Sequence, residues 1–353
     1  MKDTGFKLRS LLWTAVAVGV ACVAGPAAAT DISGAGATFP YPIYSKWAEA
    51  YKQATDVGLN YQSIGSGGGI KQIQASTVTF GASDKPLKAE DLAASDLVQF
   101  PMIIGGVVPV VNIPGVEPGA ITLDGPTVAS IYLGDIAKWD DARVKALNPK
   151  LKLPSLAIAP VYRSDGSGTN FLFTTYLSDV SATFKEKVGA DASVQWPAGI
   201  GAKGNEGVAQ MTTQTSGAIG YVEYAYAKQN KMTYAKMKNK AGVTVAPEIK
   251  AFQAAAGSAD WAHAPGYYLV LTNQPGNDSW PITGASFILM HKNAADAAAS
   301  LTALKFFAWA YKNGGDMATA LDYVPLPASV VQLVEKTWTT SIMAAGKPVW
   351  TGN

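Results

Sequence analysis

Residues 103–111 run Ile-Ile-Gly-Gly-Val-Val-Pro-Val-Val, without one polar side chain. A strand with this composition is buried on both faces, so the chain must cover a sheet from two sides. The run is far shorter than the roughly 20 apolar residues that span a bilayer, and no later stretch reaches that length. Around it, helical and strand periodicities alternate, the pattern of an α/β protein. Ile43, Tyr44, Trp47, Ala48 and Tyr51 mark one face of a helix that starts behind Pro40 and Pro42. Residues 59–64, 156–162, 218–224 and 287–290 read as further strands. Helical patterns at 294–313 and 328–344 close the chain, the second after the turn at Pro325 and Pro327. The Lys- and Ala-rich stretch 228–260 is expected as a peripheral hairpin and helix rather than core. No Pro- or Ser-rich linker divides the chain, so two lobes would be joined through strands. The expected crossings are 103–111 and the segment 280–287.

The N-terminus carries a different pattern. Lys2, Lys7 and Arg9 precede an apolar run over 11–24, which ends in Ala27-Ala28-Ala29. A charged start, a short apolar core and a small-residue cleavage site describe a secretory signal over residues 1–29. The chain has 28 Lys and Arg against 26 Asp and Glu, and the leader holds three of the former and one of the latter. The positive excess is therefore in the leader and the remainder is formally neutral, which argues against nonspecific nucleic-acid or anionic-membrane binding. The single cysteine, Cys22, also falls in the leader. A chain exported from Thr30 onward would rely on core burial rather than disulfides, and structural zinc and thiol chemistry drop out. Lipidation at Cys22 is the alternative, but Gly19-Val20-Ala21 lacks the large aliphatic residue usual three positions upstream. His263 and His291 stand in separate segments without an HExxH pattern, so no metal or cofactor is expected.

Four short loops carry the chemical signal, each expected to precede a helix: Gly34-Ala35-Gly36-Ala37-Thr38-Phe39-Pro40, Gly65-Ser66-Gly67-Gly68-Gly69, Gly81-Ala82-Ser83-Asp84-Lys85-Pro86, and Arg163-Ser164-Asp165-Gly166-Ser167-Gly168-Thr169. Glycine lets a backbone approach a ligand closely, Ser and Thr supply hydroxyl donors, and free N–H groups at a helix start favour an anion. One such loop usually does no more than start a helix. Together, with hydroxyls in several and an arginine beside the last, they suit a tetrahedral oxyanion that needs donors from several directions. The second loop lacks the Gly-Lys-Ser/Thr ending of a P-loop, and Asp165 replaces the first glycine of a GxSxG nucleophile elbow.

The carboxylates narrow the choice. Asp84 and Asp165 would repel a fully deprotonated anion, but an ionised carboxylate can accept a hydrogen bond from a ligand that keeps a proton. Phosphate near neutral pH has such a proton and sulfate has none. Spacing alone leaves other roles open: Asp84 as a cap for a helix at Pro86, and Asp165 as the partner of Arg163.

Gly34-Ala-Gly-Ala-Thr-Phe-Pro40, Gly81-Ala-Ser-Asp84, Leu133-Gly134, Trp139-Asp140-Asp141, Ser164-Asp-Gly-Ser-Gly-Thr169 and Gly217-Ala-Ile-Gly-Tyr-Val-Glu-Tyr224 occur in this order. From about Asp31 to the C-terminus, through Trp280-Pro-Ile-Thr283 and Leu304-Lys-Phe-Phe307, the series closely resembles the periplasmic phosphate-binding proteins of high-affinity phosphate ABC importers (the PstS family). The resemblance implies a type II periplasmic-binding-protein fold: two α/β lobes, one formed by 30–108 and 284–353 and the other by 109–283, closing over one phosphate. It implies ligand contacts from Ala37, Thr38 and Phe39, from Ser66, from Asp84 as proton acceptor, and from Arg163, Ser167, Gly168 and Thr169, with Asp165 holding the arginine. It further implies a monomeric, noncatalytic periplasmic receptor that delivers phosphate to inner-membrane permease subunits. Two positions depart from the pattern: Gly67, where relatives often have a second serine, and Tyr162, where a second arginine is common. The competing readings are a sulfate or molybdate receptor, which the two aspartates disfavour, and a secreted phosphatase, for which the sequence offers no activated nucleophile.

Overall fold

The computed structural model describes residues 1–2 and 31–352; Cys22 and the expected cleavage site lie outside the described residues. In chain order the strands among the described residues are β1 (Ile32–Gly36), β2 (Leu59–Ser63), β3 (Phe80–Ser83), β4 (Leu97–Val111), β5 (Thr122–Leu123), β6 (Ala159–Arg163), β7 (Ile200–Ala202), β8 (Ala218–Glu223), β9 (Thr233–Tyr234), β10 (Lys236–Lys238), β11 (Thr244–Val245), β12 (Thr283–His291), β13 (Met343–Ala344) and β14 (Lys347–Pro348). The main sheet has the order β2-β1-β3-β12-β4-β8-β6-β7, with β9 also on β4, while β11, β10 and β5 form a small separate sheet.

The apolar run lies in β4, all of whose residues are buried. Over Leu97–Gly106 it pairs antiparallel with β12, and over Val107–Val111 with β8. One strand thus serves two sheet halves, and the chain returns beside it, where Val107 N–H donates to Ile282 O at 2.8 Å. The strand is longer than its apolar run because Gln99 is buried yet satisfied: its amide accepts from Leu87 N–H at 2.9 Å and donates to Leu87 O at 2.7 Å and Gly266 O at 2.6 Å.

Helices cover both faces. The helix Tyr41–Thr55 buries Ile43, Tyr44, Trp47 and Tyr51, the face its periodicity predicts. Helices Ala297–Asn313 and Ala328–Ser341 stand close to the two patterns that close the chain. In the other half, helix Gly168–Val180 sets Leu172 against Gly284 of β12, where a Cβ would lie 2.2 Å from Leu172 Cδ1. The stretch 228–260 forms the expected hairpin, β10 with β11, and a helix, Ile249–Ala256, but it reaches the core. Its Met237 and Phe252 are fully buried, and the Phe252 ring fills the space over Gly106. Few apolar residues sufficed there because β4 leaves a glycine-sized recess. Both histidines have structural partners: His291 Nε2 sits 2.8 Å from Ile73 O, and exposed His263 pairs with Asp260.

Candidate anion-binding site

Three of the four loops precede helices as expected. Pro40 caps the helix from Tyr41, Gly65 precedes the helix Ser66–Gln74, and Ser167 caps the helix from Gly168, accepting from Asn170 N–H at 3.0 Å. The third does not. After β3 the chain stays irregular until the helix Ala89–Ala94, whose cap is Lys88, so Asp84 caps nothing.

The loops meet across the two halves of the molecule. Gly67 N–H donates to Gly166 O at 2.8 Å. Ser66 Oγ accepts from Gly168 N–H at 2.9 Å and from Asp84 N–H at 3.2 Å. Gly168 has to be glycine for this approach, since a Cβ there would stand 2.4 Å from Asp84 Cβ. At Gly67 a Cβ would come within 3.1 Å of Gly166 Cα, a tight contact for a serine, and its amide is already used across the cleft. Tyr162 stacks on Trp196 at 5.6 Å instead of adding a charge. Ala37 has both main-chain groups engaged, its N–H with Ala82 O and its C=O with Tyr61 Oη. Thr38, Phe39, Ser66, Asp84, Arg163, Ser167 and Thr169 are all buried.

The charges in this enclosure are unequal. Asp165 takes Arg163 Nε at 2.8 Å and Nη2 at 2.6 Å, and also accepts from Gly204 N–H at 3.1 Å. Burial alone would raise the Asp165 carboxyl, but the Arg163 hydrogen bonds and charge outweigh it and hold it below its ordinary value. Among the described residues, Arg163 Nη1 is buried without a partner, and so is Asp84 Oδ1. Burial pushes the Asp84 carboxyl up from 3.8 to about 7, with the nearby Ser286 hydroxyl and the Arg163 charge opposing. One buried cationic donor and one buried acceptor of these meeting loops therefore stand without partners among the described residues. Leaving either so would cost roughly 1–3 kcal/mol or more, which suits a ligand that both accepts and donates.

A family profile described as a PBP superfamily domain matches residues 23–313. Over 323 residues the chain is 53% identical to the phosphate-binding protein PstS of Pasteurella multocida, covering 91% of this chain and 94% of that one. The chain belongs to the PstS family. It is 54% identical over 307 residues to the PstS of Xylella fastidiosa, covering 87% and 84% of the two chains. Its two-lobed α/β fold is shared with a high-affinity periplasmic phosphate-binding protein solved with bound phosphate, at a TM-score of 0.69, 22% identity and coverage of 90% and 96%.

Beyond the residues that resemblance to this family implied, the site includes side chains that sequence reasoning missed. Asn205, at the start of helix Gly204–Gln214, donates to Thr38 Oγ1 from its backbone N–H at 3.1 Å and from Nδ2 at 2.7 Å, and to Thr169 Oγ1 at 3.1 Å. Tyr226 Oη donates to Thr38 O at 2.6 Å. Tyr323 Oη lies 2.6 Å from Phe39 O and 2.8 Å from Glu223 Oε2. Burial pushes the Glu223 carboxyl well above its usual range. The only local signal for Asn205 was a Gly-Asn pair opening a helix.

Proposed function

We propose that the chain captures one inorganic phosphate between its lobes in the periplasm and hands it to the permease subunits of an ABC importer. The observation that carries this reading is the pair of buried groups without partners among the described residues, Arg163 Nη1 and Asp84 Oδ1, in loops that also bury Thr38, Ser66, Ser167 and Thr169. Phosphate offers oxygens to the guanidinium and hydroxyls and a proton to the carboxylate, which sulfate cannot do near neutral pH. Ligand contacts are assigned to Thr38, Phe39, Ser66, Asp84, Arg163, Ser167, Gly168 and Thr169. Ala37 supports the first loop, and Asp165 orients the arginine. The names of the relatives above support the ligand.

The lobes in this proposal are 30–108 with 284–353, and 109–283. The change of β4 partner between Gly106 and Val107, two residues before the proposed boundary, supports a crossing within this strand. Residues 1–29 serve as the export signal, and the receptor acts as a monomer without cofactor or catalysis. The test is calorimetry on protein stripped of co-purified ligand. One phosphate per chain and little or no heat from sulfate are expected, with no turnover of a chromogenic phosphate ester. Equal affinity for sulfate would make the chain a general oxyanion receptor, and binding of neither anion would remove the reading.

A further inference from the structure

Asn205 is fully buried and touches hydroxyls from both sides of the site. Its orientation is set from behind: Glu223 N–H donates to Asn205 Oδ1 at 2.9 Å, so the oxygen must face β8 and Nδ2 must face Thr38 and Thr169. Thr38 Oγ1 then receives two N–H donors, the Asn205 backbone at 3.1 Å and Nδ2 at 2.7 Å. A hydroxyl oxygen has two lone pairs and one proton. With both lone pairs occupied, the only capacity left to Thr38 is donation. Ser66 Oγ is in the same state, filled by the amides of Asp84 and Gly168. Thr169 Oγ1 has one of its two lone pairs filled by Asn205.

We infer that Asn205 is a positioning and specificity-determining residue, which makes the Thr38 hydroxyl a donor toward the anion, biases Thr169 the same way by filling one of its lone pairs, and leaves Asp84 as the acceptor. The inference rests on the phosphate reading and adds a residue that does not itself touch the ligand. It also ties polarity to closure. Thr38 stands in the first loop and Asn205 across the cleft, so the Thr38 proton is aimed only when the two sides meet.

The experiment is phosphate calorimetry on stripped wild type, Asn205→Ala and Asn205→Asp from pH 5 to pH 9, with the melting midpoint of each ligand-free protein recorded. Asn205→Ala removes one donor to each threonine and should weaken binding about tenfold to hundredfold, with the midpoint lowered far less than binding. Asn205→Asp makes both hydroxyls turn to donate to the new carboxylate and present lone pairs to the ligand. Its binding should be weaker still and should recover toward low pH, where the carboxyl regains a proton and the ligand carries more of them. A wild-type dissociation constant in Asn205→Ala, or an Asn205→Asp profile parallel to wild type, would overturn the inference.

A cycle with Thr38→Val separates positioning from a structural role: the Asn205→Ala effect should shrink in that background, and an undiminished effect refutes action through Thr38. If the variants do not fold, phosphate-loaded wild type still decides. The Thr38 hydroxyl proton should show through-hydrogen-bond coupling to phosphorus, and a resolved proton without it counts against the proposal. Failure of the wild type to bind phosphate would instead remove the functional reading itself.

Discussion

Two carboxylates enter the site from opposite sides and end in opposite states. Asp165 is locked to Arg163 by two hydrogen bonds and held below its ordinary value. Asp84 is more deeply buried, has one oxygen without a partner and is pushed up to about 7. Both side chains are aspartate; the difference lies in what each was given to bind. Asp165 is matched within the protein, so it orients a cation and leaves Nη1 for a ligand. Asp84 Oδ1 has no partner among the described residues, and on the phosphate reading proposed above it is the atom that takes the ligand's proton. A site that keeps one acceptor open selects for protonation of its guest, while the matched carboxylate lets an arginine sit in the enclosure with little net charge.

The comparison is tested most severely at Asp84. Asp84→Asn places a donor where the open acceptor stood, so discrimination of phosphate over sulfate should fall by about a hundredfold or more. Competitive titration of both anions measures it, and an unchanged ratio would show that selectivity lies elsewhere. On the other side, Arg163→Lys keeps the charge but loses the fork that holds Asp165 with Nε and Nη2 while offering Nη1. Phosphate affinity should drop about tenfold to hundredfold with selectivity retained. Equal affinity would assign Arg163 to structure alone.

The difference between the two aspartates was only half legible in the sequence. Asp165 stands two residues from Arg163, so their pairing could be read as one option. That Asp84 is unpaired depends on the irregular chain after β3, which breaks the expected helix start, and on Ser66 and Gly168 arriving from elsewhere. The fold was readable where burial is continuous, as in β4, or periodic, as in the helix Tyr41–Thr55. It was hidden where a polar residue is satisfied internally, as Gln99 is, and where sparse apolar residues such as Phe252 fill a glycine recess. Asn205, Tyr226 and Tyr323 escaped because their partners lie far away in the chain and each stands in an ordinary local setting.

Stability gives a third contrast. Asp84 has a folded value of about 7 against an ordinary 3.8. Between these the ligand-free folded state holds a proton that the unfolded chain releases, so its stability should fall as pH rises across that window. Asp165, held low, works the other way: it contributes stability above its unfolded value, which is lost as pH falls through its folded value. Of these two aspartates, only Asp84 has a value that falls between pH 5 and 8. The melting midpoint of ligand-free wild type should decline over this range, and Asp84→Asn should flatten the decline. Saturating phosphate should flatten it too, because a ligand proton donated to Asp84 favours the ionised carboxylate. Parallel profiles for wild type and Asp84→Asn would mean that Asp84 is not poised as described.

The smallest effect is in shape. Thr38, Ser66 and Asp84 stand on one side of the cleft and Arg163, Ser167 and Thr169 on the other, joined by Gly67 N–H to Gly166 O, Gly168 N–H to Ser66 Oγ, Asn205 to Thr38 Oγ1, Tyr226 Oη to Thr38 O, Tyr323 Oη to Glu223 Oε2 and the ion pairs Lys85–Asp191 and Lys228–Asp322. The two ion pairs lie partly in solvent and contribute little. A ligand that fills Nη1 and Oδ1 at once adds the interactions that favour contact, so phosphate should shift the population toward the closed form. Small-angle scattering should show a lower radius of gyration with phosphate than without. Gly168→Ala is the control: its Cβ would stand 2.4 Å from Asp84 Cβ, so the two sides should stay apart. That variant should show the larger radius with or without phosphate. If it compacts like wild type, the approach of Gly168 to Asp84 does not govern closure. If wild type binds phosphate tightly with no change in radius, the ligand-free protein is already closed, and the open acceptor at Asp84 is maintained by the fold without help from the ligand.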